Sequence, residues 1–201
     1  MHKVVAMLSL AVMFAAGAAQ AAGDAAAGKT KAATCAACHG ADGNSANPEW
    51  PKLAGQHQDY LLKQLKEFKS GERQNALMAG QVAALNEQDM ADLAAYFASL
   101  EGSIGEADSA QVELGQSLYR AGNSRSGVAA CAACHSPTGA GNPQAKFPRL
   151  SGQHATYTAI QLKAFRSGER ANDAGQMMRN IAAKMTDAEI AAVAQYVQGL
   201  H

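Results

Sequence analysis

The chain has 201 residues, a length that holds one large domain or two small ones with separate cores. Its 17 Lys and Arg balance 17 Asp and Glu, so nothing in the composition points to a polyanion-binding surface or a disordered acidic tail. Nucleic acid is therefore not an expected partner.

The chain opens with Met1-His2-Lys3, an apolar run from Val4 to about Ala19, and the small-residue end Ala19-Gln20-Ala21. A basic start, a short apolar stretch and a small-x-small end read as a secretory signal, residues 1–21, cleaved after Ala21. The run is short for a membrane anchor, so the mature protein is expected to be exported to the periplasm. No mature segment is apolar enough to span a bilayer, while peripheral association with a membrane stays open. Charge is uneven after cleavage: residues 22–101 carry 7 basic and 10 acidic side chains, and residues 102–201 carry 9 and 7. Such a dipole can orient a molecule toward charged partners or draw its own halves together.

An Ala-rich helix is predicted from Asp24 to Thr34, leading into Cys35-Ala36-Ala37-Cys38-His39. Two cysteines three apart lie on one side of a helical turn, where both sulfurs can form thioethers with the vinyl groups of one porphyrin. The next residue then faces the iron, which makes Cys-x-x-Cys-His the c-type haem attachment pattern. A redox dithiol would sit in a βαβ context that is missing here, zinc would need further ligands, and a disulfide leaves the adjacent histidine unexplained.

A second helix is predicted over Gln58–Lys69, with Tyr60, Leu61, Leu65 and Phe68 at helical spacing and a stop at Gly71. A third runs from Glu87 to Leu100 behind the capping residue Asn86, with Met90, Leu93, Ala94 and Phe97 on one face. Residues 22–101 thus form a first domain, and the polar, Gly-containing stretch at 102–109 reads as a linker.

Residues 110–201 repeat the order of parts. Helices are predicted at Ala110–Ala121, Ala155–Arg166 and Asp187–Leu200, the last capped by Thr186. The pentapeptide returns as Cys131-Ala132-Ala133-Cys134-His135, and residues 51–73 return at 148–170 with 14 identities in 23 positions. Strand periodicity is absent, so the fold class is all-α, a duplicated domain. Each half has few large apolar side chains, and a bulky buried cofactor would help complete its core. Two covalently bound haem c groups are expected, on Cys35 and Cys38 and on Cys131 and Cys134, with His39 and His135 as proximal iron ligands.

The repeat also selects a sixth ligand. At the closing offset of 100 residues Met78 meets Met178, whereas Met90 meets Ile190, Met177 meets Leu77 and Met185 meets Leu85. Met78 and Met178 are therefore the expected axial partners, although Leu77-Met78-Ala79-Gly80 against Met178-Arg179-Asn180 is the least regular part of the repeat. Bis-histidine ligation through His57 and His154, which follow Gly-Gln in both halves, stays open as the second reading. Trp50 and Phe147 occupy matching slots before Pro51 and Pro148, where both can pack on haem.

Both Cys-x-x-Cys-His sites, both Pro-x-Leu-x-Gly-Gln segments and the closing Met-Arg-Asn-Ile-Ala-Ala-Lys-Met-Thr-Asp stretch resemble class I cytochromes c, and the tandem arrangement resembles the dihaem cytochrome c4 family. The resemblance implies two class I cytochrome c-like domains with their haem edges approaching across an interface. It also implies that Pro51 and Pro148 accept the proximal imidazole N–H while Leu53 and Leu150 pack against the porphyrins.

A His/Met pair fills all six iron positions, which favours electron transfer over catalysis, and the soft thioether favours the reduced ion. The expected protein is not an enzyme but a periplasmic carrier between an upstream respiratory donor and a membrane-bound terminal oxidase. A dihaem peroxidase-like enzyme and a haem subunit of a dehydrogenase are the alternatives.

Overall fold

A computed structural model describes residues 22–201; the expected signal segment, 1–21, lies outside them. Among the described residues there are ten α-helices, one 3₁₀ turn and no strand, only isolated bridges at Asn123–Val128 and Asn142–Phe147. No helix among them is long and apolar enough to cross a membrane.

In the first half α1 (Ala25–Lys31) crosses α5 (Glu87–Ser99), and α3 (Gln58–Ser70) packs on the same helix. The predicted helix over Asp24–Thr34 is instead two pieces. Asp24 is the cap of α1, accepting from the Ala26 and Ala27 amides, and the chain turns at the buried Ala32 before α2 (Ala33–His39). That turn lets α2 leave the α1 axis and carry Cys35, Cys38 and His39 to one place. Leu61, Leu93, Ala94 and Phe97 close the core around Ala32.

The crossing of α1 and α5 depends on Gly28. A Cβ there would lie 2.0 Å from the Asp92 carbonyl oxygen, so the two backbones meet directly. In the second half Gly115 of α6 (Ser109–Ala121) stands in the same relation to Ala192 of α10 (Asp187–Gln198), where a Cβ would lie 2.2 Å from the carbonyl oxygen. The second core gathers Tyr119, Met185, Ile190, Val193 and Val197 beneath α8 (Ala155–Ser167). Asn86 and Thr186 cap α5 and α10 as expected, each in a reciprocal capping box, with Asp89 and with Glu189.

Three short helices carry no periodic signal in the sequence: α4 (Ala76–Val82), α7 (Ala132–His135) and α9 (Met177–Ala182), the last preceded by a 3₁₀ turn at Ala174–Gln176. The connecting segment is fastened rather than free. Ser103 N–H donates to Asn44 Oδ1 at 2.8 Å, Lys52 Nζ to Ser103 O at 3.1 Å and Gly105 N–H to Gln198 O at 3.1 Å. Helix α6 already begins at Ser109, capped by Asp108.

The two halves meet through a buried polar network built reciprocally from the repeat. Arg73 stacks on Phe68 and donates across to Tyr157 Oη at 3.0 Å and Gln161 Oε1 at 2.9 Å. Arg170 stacks on Phe165 and donates across to Tyr60 Oη at 3.0 Å and Gln64 Oε1 at 3.1 Å. One feature breaks the symmetry: Glu67, opposite Ala164 in the repeat, accepts from Asn172 Nδ2 at 2.7 Å and pairs with Lys63. Burying guanidinium groups is costly unless their protons find acceptors, which here come from both halves at once.

Candidate cofactor sites

Helix α2 presents Cys35, Cys38 and His39; α7, following Cys131, presents Cys134 and His135. None of the four cysteines is in a disulfide; the first of each pair is half-buried and the second exposed. Burial pushes the Cys35 thiol above its ordinary range and Cys131 up to about 11.

Both histidines are buried, and each ring is fixed by one backbone bond. His39 Nδ1 lies 2.9 Å from Pro51 O, and His135 Nδ1 lies 2.9 Å from Pro148 O. A carbonyl only accepts, so Nδ1 carries the proton and the lone pair sits on Nε2, the atom left to bind a metal. Burial pushes both imidazoles to lower pKa, opposed by the same carbonyl bonds, which keeps the rings neutral at physiological pH.

The surroundings suit a flat apolar group. Leu53 packs with Cys35 on the first core, Leu150 with Cys131 on the second, and the Phe147 ring centroid lies 6.2 Å from that of His135. Two thiols and one neutral imidazole, presented twice beside apolar walls, fit a covalently bound haem in each half.

The methionines separate by environment. Met90 and Met185 are buried core residues and Met177 is exposed, while Met78 and Met178 are half-buried near the start of α4 and α9. The two loops are built differently, which accounts for the irregular repeat. Asn75 caps α4 by accepting from the Met78 amide at 3.0 Å. In the second loop Gln176 adopts φ 57°, and Asp173 holds Arg179 through its backbone N–H at 2.9 Å and its Nε at 2.7 Å.

His57 and His154 point away from their own halves. His57 Nε2 lies 2.7 Å from Ala140 O and His154 Nε2 lies 2.8 Å from Ser45 O, both across the interface. Their immediate neighbours Gln56 and Gln153 do the same, bonding to the backbone of Arg149 and of Lys52. The sequence offers the repeated Gly-Gln-His histidines either as a second ligand set or as bonds to backbone or to the opposite domain, and in the structure both rings bond to backbone of the opposite half.

Two all-helical units of this construction, each with a Cys-x-x-Cys-His helix and a carbonyl-anchored histidine, define a dihaem c-type cytochrome. The Cytochrome c family model matches the chain twice, over residues 25–101 and 112–201. Cytochrome c4 of Azotobacter vinelandii is 53% identical over 195 residues, covering 92% of this chain and 93% of its own. The crystal structure of reduced recombinant cytochrome c4 from Pseudomonas stutzeri superposes with a TM-score of 0.87 at 49% identity, covering 90% of this chain and 100% of that one. The chain belongs to the cytochrome c4 family and is an electron-transfer cytochrome with two covalently bound haem c groups. A more distant relative, 38% identical over 202 residues with 98% of this chain and 90% of its own covered, is named thiosulfate dehydrogenase electron acceptor, from Thiomonas intermedia.

Proposed function

We propose that the mature protein, residues 22–201 after cleavage behind Ala21, is a periplasmic carrier of single electrons between a respiratory donor and a membrane-bound terminal oxidase. Its two domains, 22–101 and 110–201, hold one haem each, joined by the strap at 102–109. Bound haem iron supplies the one-electron chemistry by alternating between ferrous and ferric states. His39 and His135 provide the proximal imidazoles, oriented by Pro51 and Pro148, with Leu53 and Leu150 excluding water beside them. Met78 and Met178 would supply the second iron ligand in each half.

The observation that carries the axial reading is the fate of the competing side chains. Met90 and Met185 are committed to the cores, Met177 faces solvent, and the Nε2 atoms of His57 and His154 are engaged with backbone oxygens of the opposite half. Held by a histidine and a methionine each, the two haems would offer no position to peroxide, which favours a carrier over a peroxidase.

An optical spectrum of the oxidised holoprotein tests this reading through the weak far-red sulfur-to-iron band. The expected intensity corresponds to two His/Met haems; intensity for one or none overturns the assignment at Met78 first. The Thiomonas relative favours a second reading of the donor, in which a dehydrogenase reduces the protein directly; stable copurification with such an enzyme would establish it.

A further inference from the structure

The interface touches the proximal histidines through one peptide group in each half. The carbonyl of Pro148 accepts from His135 Nδ1, and the N–H of that same peptide, belonging to Arg149, donates to Gln56 Oε1 at 2.8 Å. In the other half Pro51 O accepts from His39 Nδ1, and the N–H of Lys52 donates to Gln153 Oε1 at 3.0 Å. Each glutamine therefore belongs to one half and binds the peptide that holds the other half's histidine.

The placement of the side-chain amide is fixed by chemistry. Gln56 Nε2 donates to Arg149 O at 2.9 Å, and Gln153 Nε2 donates to Lys52 O at 2.9 Å. Because the same residue offers an N–H on one side and a carbonyl on the other, flipping either amide would oppose two donors and two acceptors. Each Oε1 also accepts from the following histidine amide at 3.0 Å, which holds the side chain in its rotamer.

We propose that Gln56 and Gln153 tune the two haems in trans, each setting the electron affinity of the haem in the opposite half. A peptide is one conjugated unit, so donation from its N–H makes its carbonyl a stronger acceptor; bonds in such a chain reinforce one another. A stronger bond at Nδ1–H raises the basicity of the imidazole that ligates the metal. A more basic ligand favours ferric over ferrous iron, so each glutamine lowers the potential of the haem it does not share a domain with. The inference rests on His39 and His135 as the proximal ligands.

The test uses the full-length holoprotein, with each haem followed separately by NMR of its methyl resonances through a redox titration. Gln56→Leu is expected to shift the second haem toward the reduced form by about threefold at fixed ambient potential, about 28 mV at 59 mV per tenfold, and to move the first haem less. Gln153→Leu is expected to do the reverse. Gln56→Glu keeps an acceptor oxygen and adds charge, so it should shift the second haem toward the oxidised form; it also serves where the leucine variant does not retain haem. Tyr157→Phe removes an interface bond from Arg73 without touching either peptide and is expected to leave both potentials in place. Equal shifts in both haems, a shift confined to the variant's own half, the same shift in Tyr157→Phe, or none at all would overturn the proposal. A wrong proximal assignment would show separately, in the wild-type protein, as histidine ring resonances without the shifts of an iron ligand.

Discussion

Gly28→Ala is the most informative single perturbation of the fold. The added Cβ would sit 2.0 Å from the Asp92 carbonyl oxygen and 2.7 Å from Tyr96 Cβ. Ordinary carbon-to-carbonyl contacts begin at about 3.3 Å, so α1 must retreat from α5 by roughly 1 Å. Overpacking costs about 1–3 kcal/mol, and the obstacle here is backbone that no rotamer change can move, which places the cost near the upper end. Replacing a helical glycine by alanine returns about 1 kcal/mol, leaving a net loss of about 2 kcal/mol. For a unit of this size that is a fall in melting temperature of roughly 8–16 °C. Gly80, in α4, has nothing within 4 Å of its added Cβ, so Gly80→Ala should instead stabilise by about 0.4–1 kcal/mol. Urea unfolding of the two holoprotein variants, followed by helical circular dichroism, compares them directly. A Gly28→Ala midpoint within about 0.5 kcal/mol of wild type would refute the backbone-contact account of the crossing.

Three further outcomes are expected. The Asp92 carboxyl is held down to about 2 by the Asp24 amide, Lys31 and Gln88, below an unfolded value of about 3.9. Its stabilisation is therefore present above about pH 4 and lost as pH falls toward 2, and Asp92→Asn should flatten that part of an acid-unfolding curve. Met78→Ala and Met178→Ala should each remove half of the far-red band while both haems stay attached; an unchanged spectrum in either would point to a different ligand. Asn172→Ala strips a donor from the buried Glu67 and Gln64 and should cost about 1–3 kcal/mol, read as a lower midpoint in urea unfolding.

Much of the molecule is legible in the residues alone. The long helices announce themselves through apolar spacing and through caps such as Asn86 and Thr186, and the attachment sites through a pentapeptide whose spacing has one good chemical use. The break at Ala32 was hidden because Ala-rich sequence suits one helix or two equally well; burial of Ala32 against Leu93 decides it only once the core exists. Helices α4 and α9 were hidden because fewer than two turns carry no period. The roles of Gln56, Arg73 and Tyr157 were out of reach for a different reason: the repeat records that a residue was kept, but not that its partner lies in the other copy.

The reciprocal pairing of Arg73 with Tyr157 and Arg170 with Tyr60, and of Gln56 with Arg149 and Gln153 with Lys52, has the form of an isologous dimer interface. One half already contains both members of each kind of contact, so two identical copies of it could close the same surface before any strap joined them. Covalent joining leaves the two sides free to differ. Glu67 facing Asn172, with Ala164 where symmetry would put a second carboxylate, is a difference that no homodimer could have carried.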